Sequence, residues 1–302
     1  MLSYMQAEKH SYHLVFLFFS LLFALFLFLL SHRPLATPDE GRYVEIPREM
    51  LETGEYITPH LNGLPYFEKP PLTYWITAAS LYVFGENTFA ARIPLAIFAF
   101  FGCFALYIFM RTKAPVFYSL TPSFVLATST LYFGMARILT LDLFVSIWIT
   151  LAMLSFYQST QKPHKPLLSV FYGLSMAGAV MTKGFIGVVL PGFTILCWIA
   201  YQQNGQLLKK AFHPYALLAF FVFATPWHVL VAMHNPSFAW FYFVHEHFLR
   251  YTTVIHGRFQ PFWFFIPVVI LGSFPWIVFG MRLEKKKGKH IKTFRKCSQQ
   301  RS

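Results

Sequence analysis

The sequence predicts an all-α protein, a polytopic bundle of about eight transmembrane helices with a structured first outer loop. Of its 302 residues, 56% are hydrophobic and only 12% are charged, about half the charged fraction of a soluble domain. The mean hydropathy is +0.49. The apolar residues also gather into runs long enough to cross, or nearly cross, a bilayer core of about 30 Å.

Eight apolar runs carry the predicted spans. The first, Leu14 to Leu30, is interpreted as a retained signal-anchor helix, because no convincing small-x-small cleavage site follows it. The other seven are 90–110, 116–134, 141–158, 167–182, 185–201, 215–232 and 262–281.

Loop charge predicts the orientation of this bundle. With the N-terminus inside, the connections RTKAP, QKPHKP and QQNGQLLKKAFHP fall on one side together with a basic tail at 283–302. The opposite side, which includes loops 31–88 and 233–261, holds ten of the twelve acids. Because Lys and Arg favour cytoplasmic loops, both termini are predicted to be cytoplasmic. Residues 1–282 then form one membrane region whose two long loops face outward.

The net charge of +13 does not indicate a protein that binds nucleic acid. The basic residues lie in short loops between spans and in the tail, where membrane proteins keep them. Cys103, Cys197 and Cys297 are scattered, and their spacing indicates neither a disulfide framework nor a cysteine metal site.

The first outer loop opens with TPDEGRYVEIPREM, which concentrates charge shortly after the first apolar run. A capping pattern predicts a helix here, with Thr37 as the N-cap, Pro38 at the first helical position and Glu40 reaching back. The helix is expected to run toward Gly54, since glycine commonly ends a helix.

Two further features of this loop are expected from spacing. Asp39 and Arg42 lie three residues apart and should share a face of the first helix. A second helix is predicted from Pro71 to Phe84, with an apolar face suited to the membrane interface.

Acidic and basic side chains near the predicted membrane surface are the candidate functional groups. Asp39 and Asp142 each lie at the outer mouth of a span, where a carboxylate is costly unless paired or solvated. The alternative is a carboxylate stabilised by a helix dipole. Glu68 and Lys69 follow each other in an extended, proline-flanked segment, so they point to opposite sides. They either face different partners or are simply solvated.

Lys183 and two histidines are further candidates. Lys183, in MTKG, either snorkels to the surface or binds a phosphate there. His245 and His247 bracket Glu246 in FVHEHFLRY, on a predicted aromatic interfacial helix. The pair is either structural or part of a metal site. It is not the H-E-x-x-H pattern of zinc proteases, because position 249 is leucine.

The run PDEGRYVEIPREMLETGEYITPHLNGLPYFEKPPLTYW resembles the first periplasmic loop of bacterial integral-membrane glycosyltransferases of the GT-C type. Within that type it is similar to the lipid A aminoarabinose transferases, which are relatives of the dolichyl-phosphate-mannose protein mannosyltransferases. The resemblance continues in order through ARILTLDLF, MTKGFIG, PWHVLVAMHNPSFAWFYFVHEHFLRY and PFWFFIPVVILGSFPW, over about residues 12–282.

This resemblance implies a GT-C fold in the inner membrane with a periplasmic active site. It also implies transfer of a sugar from a polyprenyl-phosphate donor to a lipid or protein acceptor such as lipid A. Asp39 and Asp142 would be the catalytic acids, and Glu68 and His245 would hold a divalent metal ion. The side chains expected around the donor phosphate are Arg42, Tyr66, Lys69, Lys183 and Arg250.

The resemblance covers only the N-terminal part of the family. Family members are much longer, with further spans and a C-terminal outer domain, and the tail IKTFRKCSQQRS does not resemble them. A truncated or split transferase with an incomplete donor groove is therefore expected, and an inactive remnant or partner subunit is the alternative. A transporter is a third possibility, but the charge lies at one face and no internal repeat is found.

Overall fold

Helices dominate the computed structural model, which describes residues 2–161, 165–249 and 261–280. An antiparallel pair, β1 (His60–Leu61) and β2 (Leu64–Pro65), is the only sheet in these ranges. The all-α prediction is confirmed, and this small hairpin is an addition to it. The helices are α1 (Leu2–Leu27), α2 (Asp39–Thr53), α3 (Leu72–Phe84), α4 (Thr88–Arg111), α5 (Val116–Ala127), α6 (Thr130–Met135), α7 (Leu141–Thr160), α8 (Pro166–Lys183), α9 (Ile186–Gln202), α10 (Gln206–Ala211), α11 (Pro214–His234), the π-helical α12 (Trp240–Leu249) and α13 (Phe265–Gly272).

Three helical segments in the described ranges are long and apolar enough to cross a membrane: α4, α7 and the stretch Gln206–His234. Shorter apolar helices are Tyr12–Leu27, α3, α5 and α9. The count of eight crossings, and the orientation derived from it, stay predictions.

Two predicted spans are interrupted. Span 116–134 divides into α5 and α6, where the hydroxyls of Thr128 and Ser129 bond to carbonyls four residues earlier. Such bonds compete with the helical backbone pattern. Span 262–281 breaks after α13 at a turn over 273–275, where Pro275 has no N–H to donate.

The first outer loop forms α2 and α3, but α2 does not begin as predicted. The expected Thr37 cap is wrong: Pro38 is the N-cap and no side chain caps the helix. Glu40 instead turns inward, where it accepts a hydrogen bond of 2.7 Å from the Ala36 N–H. The C-terminal end agrees with expectation, because Gly54 adopts the left-handed conformation, with φ 72°.

The buried face of α3 mixes apolar and hydroxyl-bearing side chains. Tyr74, Ala78 and Leu81 are buried. Thr73, Thr77 and Ser80 are buried as well, whereas Tyr82 and Val83 on the predicted apolar stripe are exposed. The exposed apolar residues suit a helix in contact with lipid, because lipid solvates apolar side chains.

Close packing of α8 on α11 depends on Gly173. A Cβ atom at this position would lie 2.8 Å from the carbonyl carbon of Ala216, and small residues permit such close approach between membrane helices. We expect Gly173→Ala to lower the free energy of unfolding by about 1–3 kcal/mol through overpacking, measured by titration with a denaturing detergent.

The matched control is Gly192→Ala in α9, where an added Cβ meets nothing within 4 Å. Both substitutions gain the same helix propensity, about 1 kcal/mol, so the difference between them isolates the packing cost. Equal stability of the two variants would contradict the close α8–α11 contact.

Candidate active site

Arg42 lies at the centre of a polar cluster on the first turns of α2. Its Nη2 atom lies 2.5 Å from Oδ1 of Asp39, as the spacing of three residues predicted. Its Nη1 atom lies 3.4 Å from the Tyr66 hydroxyl and 3.9 Å from Oε2 of Glu68. Asp39 is 55% exposed and Arg42 only 23%, so the cation is fixed while the carboxylate faces solvent.

Tyr66 and Glu68 hold this guanidinium in place from the segment after the hairpin. The Tyr66 hydroxyl accepts from Arg42 and donates to Glu68 at 3.0 Å. Burial raises the pKa of Tyr66, and the Glu68 carboxylate raises it further. The hydroxyl therefore keeps its proton at neutral pH and stays a donor to Glu68.

Tyr43 connects this cluster electrostatically to the second aspartate. Burial raises the pKa of Tyr43, and the charges of Asp39, Asp142 and Glu68 each contribute to the rise. The Arg42 guanidinium opposes this rise in the pKa of Tyr43. The tyrosine rings also pack together, since the Tyr74 ring centroid is 6.3 Å from that of Tyr43.

Asp142 and Lys183 form an ion pair of their own, between the first turn of α7 and the last residue of α8. Both side chains remain partly exposed, at 57% and 29%. The pair accounts for Lys183 better than simple snorkelling, because a carboxylate fixes the ammonium at the mouth of the bundle. In the described part of the chain, no hydrogen bond or salt bridge joins this pair to Arg42.

Lys69 reaches the second outer loop. Its Nζ atom lies 2.7 Å from the main-chain oxygen of Glu68 and 3.4 Å from Oε2 of Glu246, which is buried. Glu246 is in turn 3.6 Å from Nδ1 of His245. Glu68 and Lys69 thus face different partners, as the extended geometry predicted.

The helix that carries Glu246 is π-helical rather than α-helical. In α12 the His245 ring stacks on Phe241 at 4.9 Å and lies 6.1 Å from the ring of Trp240. π-Helical turns are rare and are often found at functional sites. Arg250, predicted to bind the donor phosphate, lies outside the described residues.

Further hydrogen bonds and ring contacts hold the outer loops together. The Trp227 indole donates to the Ile57 carbonyl at 2.8 Å, and the Asn235 amide donates to the Thr58 hydroxyl at 2.8 Å. The aromatic ring of Phe67 packs against Phe238 and Phe241. The segment with Tyr66, Glu68 and Lys69 is therefore fixed against α11 and α12.

A buried ion pair sets the position of α2. Glu40 is fully buried and accepts two bonds of 2.9 Å from Arg92 on α4. It also accepts from the N–H of Leu139, close to Asp142, at 2.8 Å. Arg92 donates to three carbonyls of the preceding loop, those of Leu30, Arg33 and Pro34.

These bonds give Glu40 an unusually low pKa. Burial would raise it, but the Arg92 guanidinium and the backbone N–H groups of Leu139 and Ala36 outweigh burial and lower the pKa to about 2. One ionised carboxylate therefore joins the end of α1, the start of α2, α4 and the loop before α7. Asp39 and Asp142 both lie within three residues of its contacts.

Glu49 is a second buried carboxylate that connects two elements, in this case α2 and the β1–β2 hairpin. Its side chain is buried and accepts from the N–H groups of Asn62 and Gly63 at 2.5 and 3.1 Å. This bond pair anchors the turn to α2 and so positions the segment that leads to Tyr66.

The residues present do not fit a closed metal site. Within the described ranges, no group of three or more His, Cys, Asp and Glu side chains could hold a metal ion, whereas structural zinc sites use four ligands. Glu68 already contacts Tyr66 and Arg42. A divalent ion at Glu68 and His245 stays a prediction.

The structure places the predicted residues in three separate groups: Asp39, Arg42, Tyr66 and Glu68; Asp142 and Lys183; and Lys69 with His245. Sequence reasoning missed the partners that hold them: Arg92, Glu49 and Glu246. A buried partner for Arg92 could have been predicted from the sequence, because an arginine inside an apolar span is costly unless it is paired. The Asn62–Gly63 pair likewise signals a tight hairpin.

Comparison with known proteins agrees with this architecture. Residues 11–242 match the family described as dolichyl-phosphate-mannose-protein mannosyltransferase. The chain is 34% identical over 284 residues to the undecaprenyl phosphate-alpha-4-amino-4-deoxy-L-arabinose arabinosyl transferase of Aeromonas hydrophila, covering 90% of this chain and 49% of that protein. It is 37% identical over 271 residues to the corresponding transferase 1 of Proteus mirabilis, covering 86% and 49%.

Solved structures give the same result. The crystal structure of ArnT from Cupriavidus metallidurans bound to undecaprenyl phosphate superposes with a TM-score of 0.81 at 27% identity, over 90% of this chain and 51% of that one. The apo structure superposes with a TM-score of 0.78. The chain spans about half the length of the curated relatives it matches. The resemblance to GT-C membrane glycosyltransferases is confirmed, and the chain belongs to the dolichyl-phosphate-mannose-protein mannosyltransferase family.

Proposed function

We propose that this chain takes part in moving a sugar from a polyprenyl-phosphate donor to an acceptor on the outer side of the inner membrane. The observation that carries this proposal is the fixed Arg42 guanidinium beside the exposed Asp39 carboxylate. The relatives named above support an undecaprenyl-phosphate donor carrying 4-amino-4-deoxy-L-arabinose. An acceptor such as lipid A or a protein belongs to the same proposal.

The chemistry requires a stabilised leaving group. The bond between the anomeric carbon and the donor phosphate oxygen breaks, and a bond to an acceptor oxygen forms. The electron pair of the broken bond stays on the polyprenyl phosphate. Arg42 and Lys69 would face this growing negative charge, since preorganised cations stabilise a transition state more than the ground state. Arginine suits bidentate contact with phosphate and lysine supplies a point charge.

Asp39 would act on the acceptor. An exposed carboxylate can accept the proton of an acceptor hydroxyl as the new bond forms. If the acceptor is itself a phosphate, the proton is already absent and Asp39 orients the attacking group. Lys183, paired with the second acid Asp142, would add a further cation for the donor phosphate, and Arg250 keeps its predicted role there.

The test is sugar transfer by Asp39→Asn in membranes that contain a labelled polyprenyl-phosphate sugar. We expect transfer to fall at least about tenfold, because positioned acid–base groups contribute about 10²–10⁴-fold. The control is Glu86→Gln, which removes an exposed outer carboxylate outside this cluster.

Undiminished transfer by Asp39→Asn would overturn the role of Asp39. Absence of transfer by the folded wild-type chain would overturn activity of this chain alone and favour a non-catalytic partner subunit. Addition of a second polypeptide that covers the part of the relatives beyond the matched region separates these two outcomes, since a partner subunit would then support transfer.

A further inference from the structure

An apolar groove runs between α4, α7 and α8, at the end of the bundle away from the candidate active site. Its volume is about 600 Å³, within the range of about 300–1,000 Å³ for sites that hold small ligands. Several aromatic lining residues are open to the surroundings, with Phe101 52% and Phe171 46% exposed. A concave apolar groove on a membrane-facing surface offers a lipid chain more contacts than a convex helix does.

The groove has one polar end. Ser155 and Gln158 line it there, together with the ring of Phe109. The ammonium of Lys113 lies 4.8 Å from the centroid of that ring and 4.1 Å from the centroid of Tyr157. It also donates to the Tyr157 hydroxyl at 3.0 Å. The Lys113 side chain is exposed, and the two rings hold its ammonium beside Phe109 at the polar end of the groove.

The loops at this end are basic. The three connections that meet here, RTKAP, QKPHKP and QQNGQLLKKAFHP, contain five lysines, one arginine and no acid. Where the structure describes the chain, Lys113 is in no salt bridge. Lys210 at the same end is differently engaged, since it donates to the carbonyls of Ser159 and Thr160.

The geometry points to a binding site for an anionic phospholipid, with one acyl chain in the groove and the phosphate at Lys113. Phe109 is seventeen residues along α4 from Arg92, a rise of about 25 Å, so the proposed phosphate position is separate from the candidate active site. A defined groove next to the Lys113 ammonium distinguishes this proposed site from the general attraction of basic loops to anionic lipid.

The test uses the chain in lipid nanodiscs with a phosphatidylglycerol that carries a photoactivatable diazirine in one acyl chain. Cross-links mapped by mass spectrometry are expected on groove residues of α4 and α7. Unlabelled phosphatidylglycerol should compete, and phosphatidylcholine should not. Lys113→Gln is expected to reduce the labelling about fivefold, equivalent to about 1 kcal/mol for one basic side chain near the surface.

Two matched controls separate the site from its surroundings. Lys209→Gln removes an exposed charge on the same side of the bundle but outside the groove. Ala105→Trp fills the groove, whereas Leu196→Trp adds the same side chain on the exposed face of α9. Only Lys113→Gln and Ala105→Trp should reduce labelling, with folding checked by thermal melting.

Three outcomes would overturn the proposal. Equal labelling by phosphatidylcholine analogues would exclude a role for charge. The same loss in Lys209→Gln would show general electrostatic attraction. Unchanged labelling in both Lys113→Gln and a folded Ala105→Trp or Ala105→Leu variant would exclude this groove.

Discussion

Replacing Arg42 by glutamine is expected to lower kcat/KM for sugar transfer by about 10²–10³-fold, equivalent to about 2.7–4 kcal/mol of transition-state stabilisation. The guanidinium is held by Asp39, Tyr66 and Glu68, so it is preorganised before the donor binds. Because the phosphate gains charge as the sugar leaves, kcat should fall more than KM rises. Initial rates with a purified polyprenyl-phosphate sugar provide the measurement.

The control is Arg48→Gln on the same helix. Arg48 pairs with Glu45 and Glu52 at helical spacings on the surface of α2, so its loss removes the same charge without touching the cluster. Arg42→Lys should recover only part of the rate, because lysine cannot make the forked contacts. Equal effects of Arg42→Gln and Arg48→Gln would refute a specific role for Arg42.

Glu40→Leu is expected to destabilise the fold by about 3–5 kcal/mol. The substitution leaves Arg92 buried with its charge uncompensated, and removal of one partner of a buried pair typically costs this much. Titration with a denaturing detergent measures the change. Glu52→Leu, which breaks an exposed pair on the same helix, should cost about 1 kcal/mol or less.

Two further measurements sharpen this expectation. The double variant Glu40→Leu with Arg92→Met should be more stable than Glu40→Leu alone, because no charge is then stranded. In the wild type, the depressed pKa of Glu40 supplies stability above its ordinary pKa of 4.5, and this stability is lost as the pH falls toward 2. A stability profile that is flat between pH 5 and 2 in the wild type would contradict the ionised pair.

Local patterns predicted much of the fold and part of the candidate site. Hydropathy placed the main helices, and spacing placed Asp39 beside Arg42. The opposite directions of Glu68 and Lys69 followed from extended geometry. These features depend on neighbours within a few residues, which is the information that a single sequence presents directly.

The features that could not be predicted depend on contacts between residues far apart in the sequence. Glu40 resembled a capping residue because the pattern of the first helical turn is local, whereas its buried partner, Arg92, is 52 residues away. The sequence assigned no role to Glu246, because its contact with Lys69 exists only in the folded chain. For α3 the exposed apolar residues Tyr82 and Val83 agree with the predicted interfacial face, whereas the burial of Thr73 and Thr77 was not predicted.

The Lys69–Glu246 contact also sets an order of assembly. Its two residues are 177 positions apart in the chain, and a ribosome adds about 5–20 residues per second. Lys69 therefore waits roughly ten to thirty-five seconds after synthesis before Glu246 exists. The Glu40–Arg92 pair can close much earlier, with 52 residues between its members. During membrane insertion, the Glu40–Arg92 pair that positions α2 can therefore form before the contact between Lys69 and Glu246, which requires the last third of the chain.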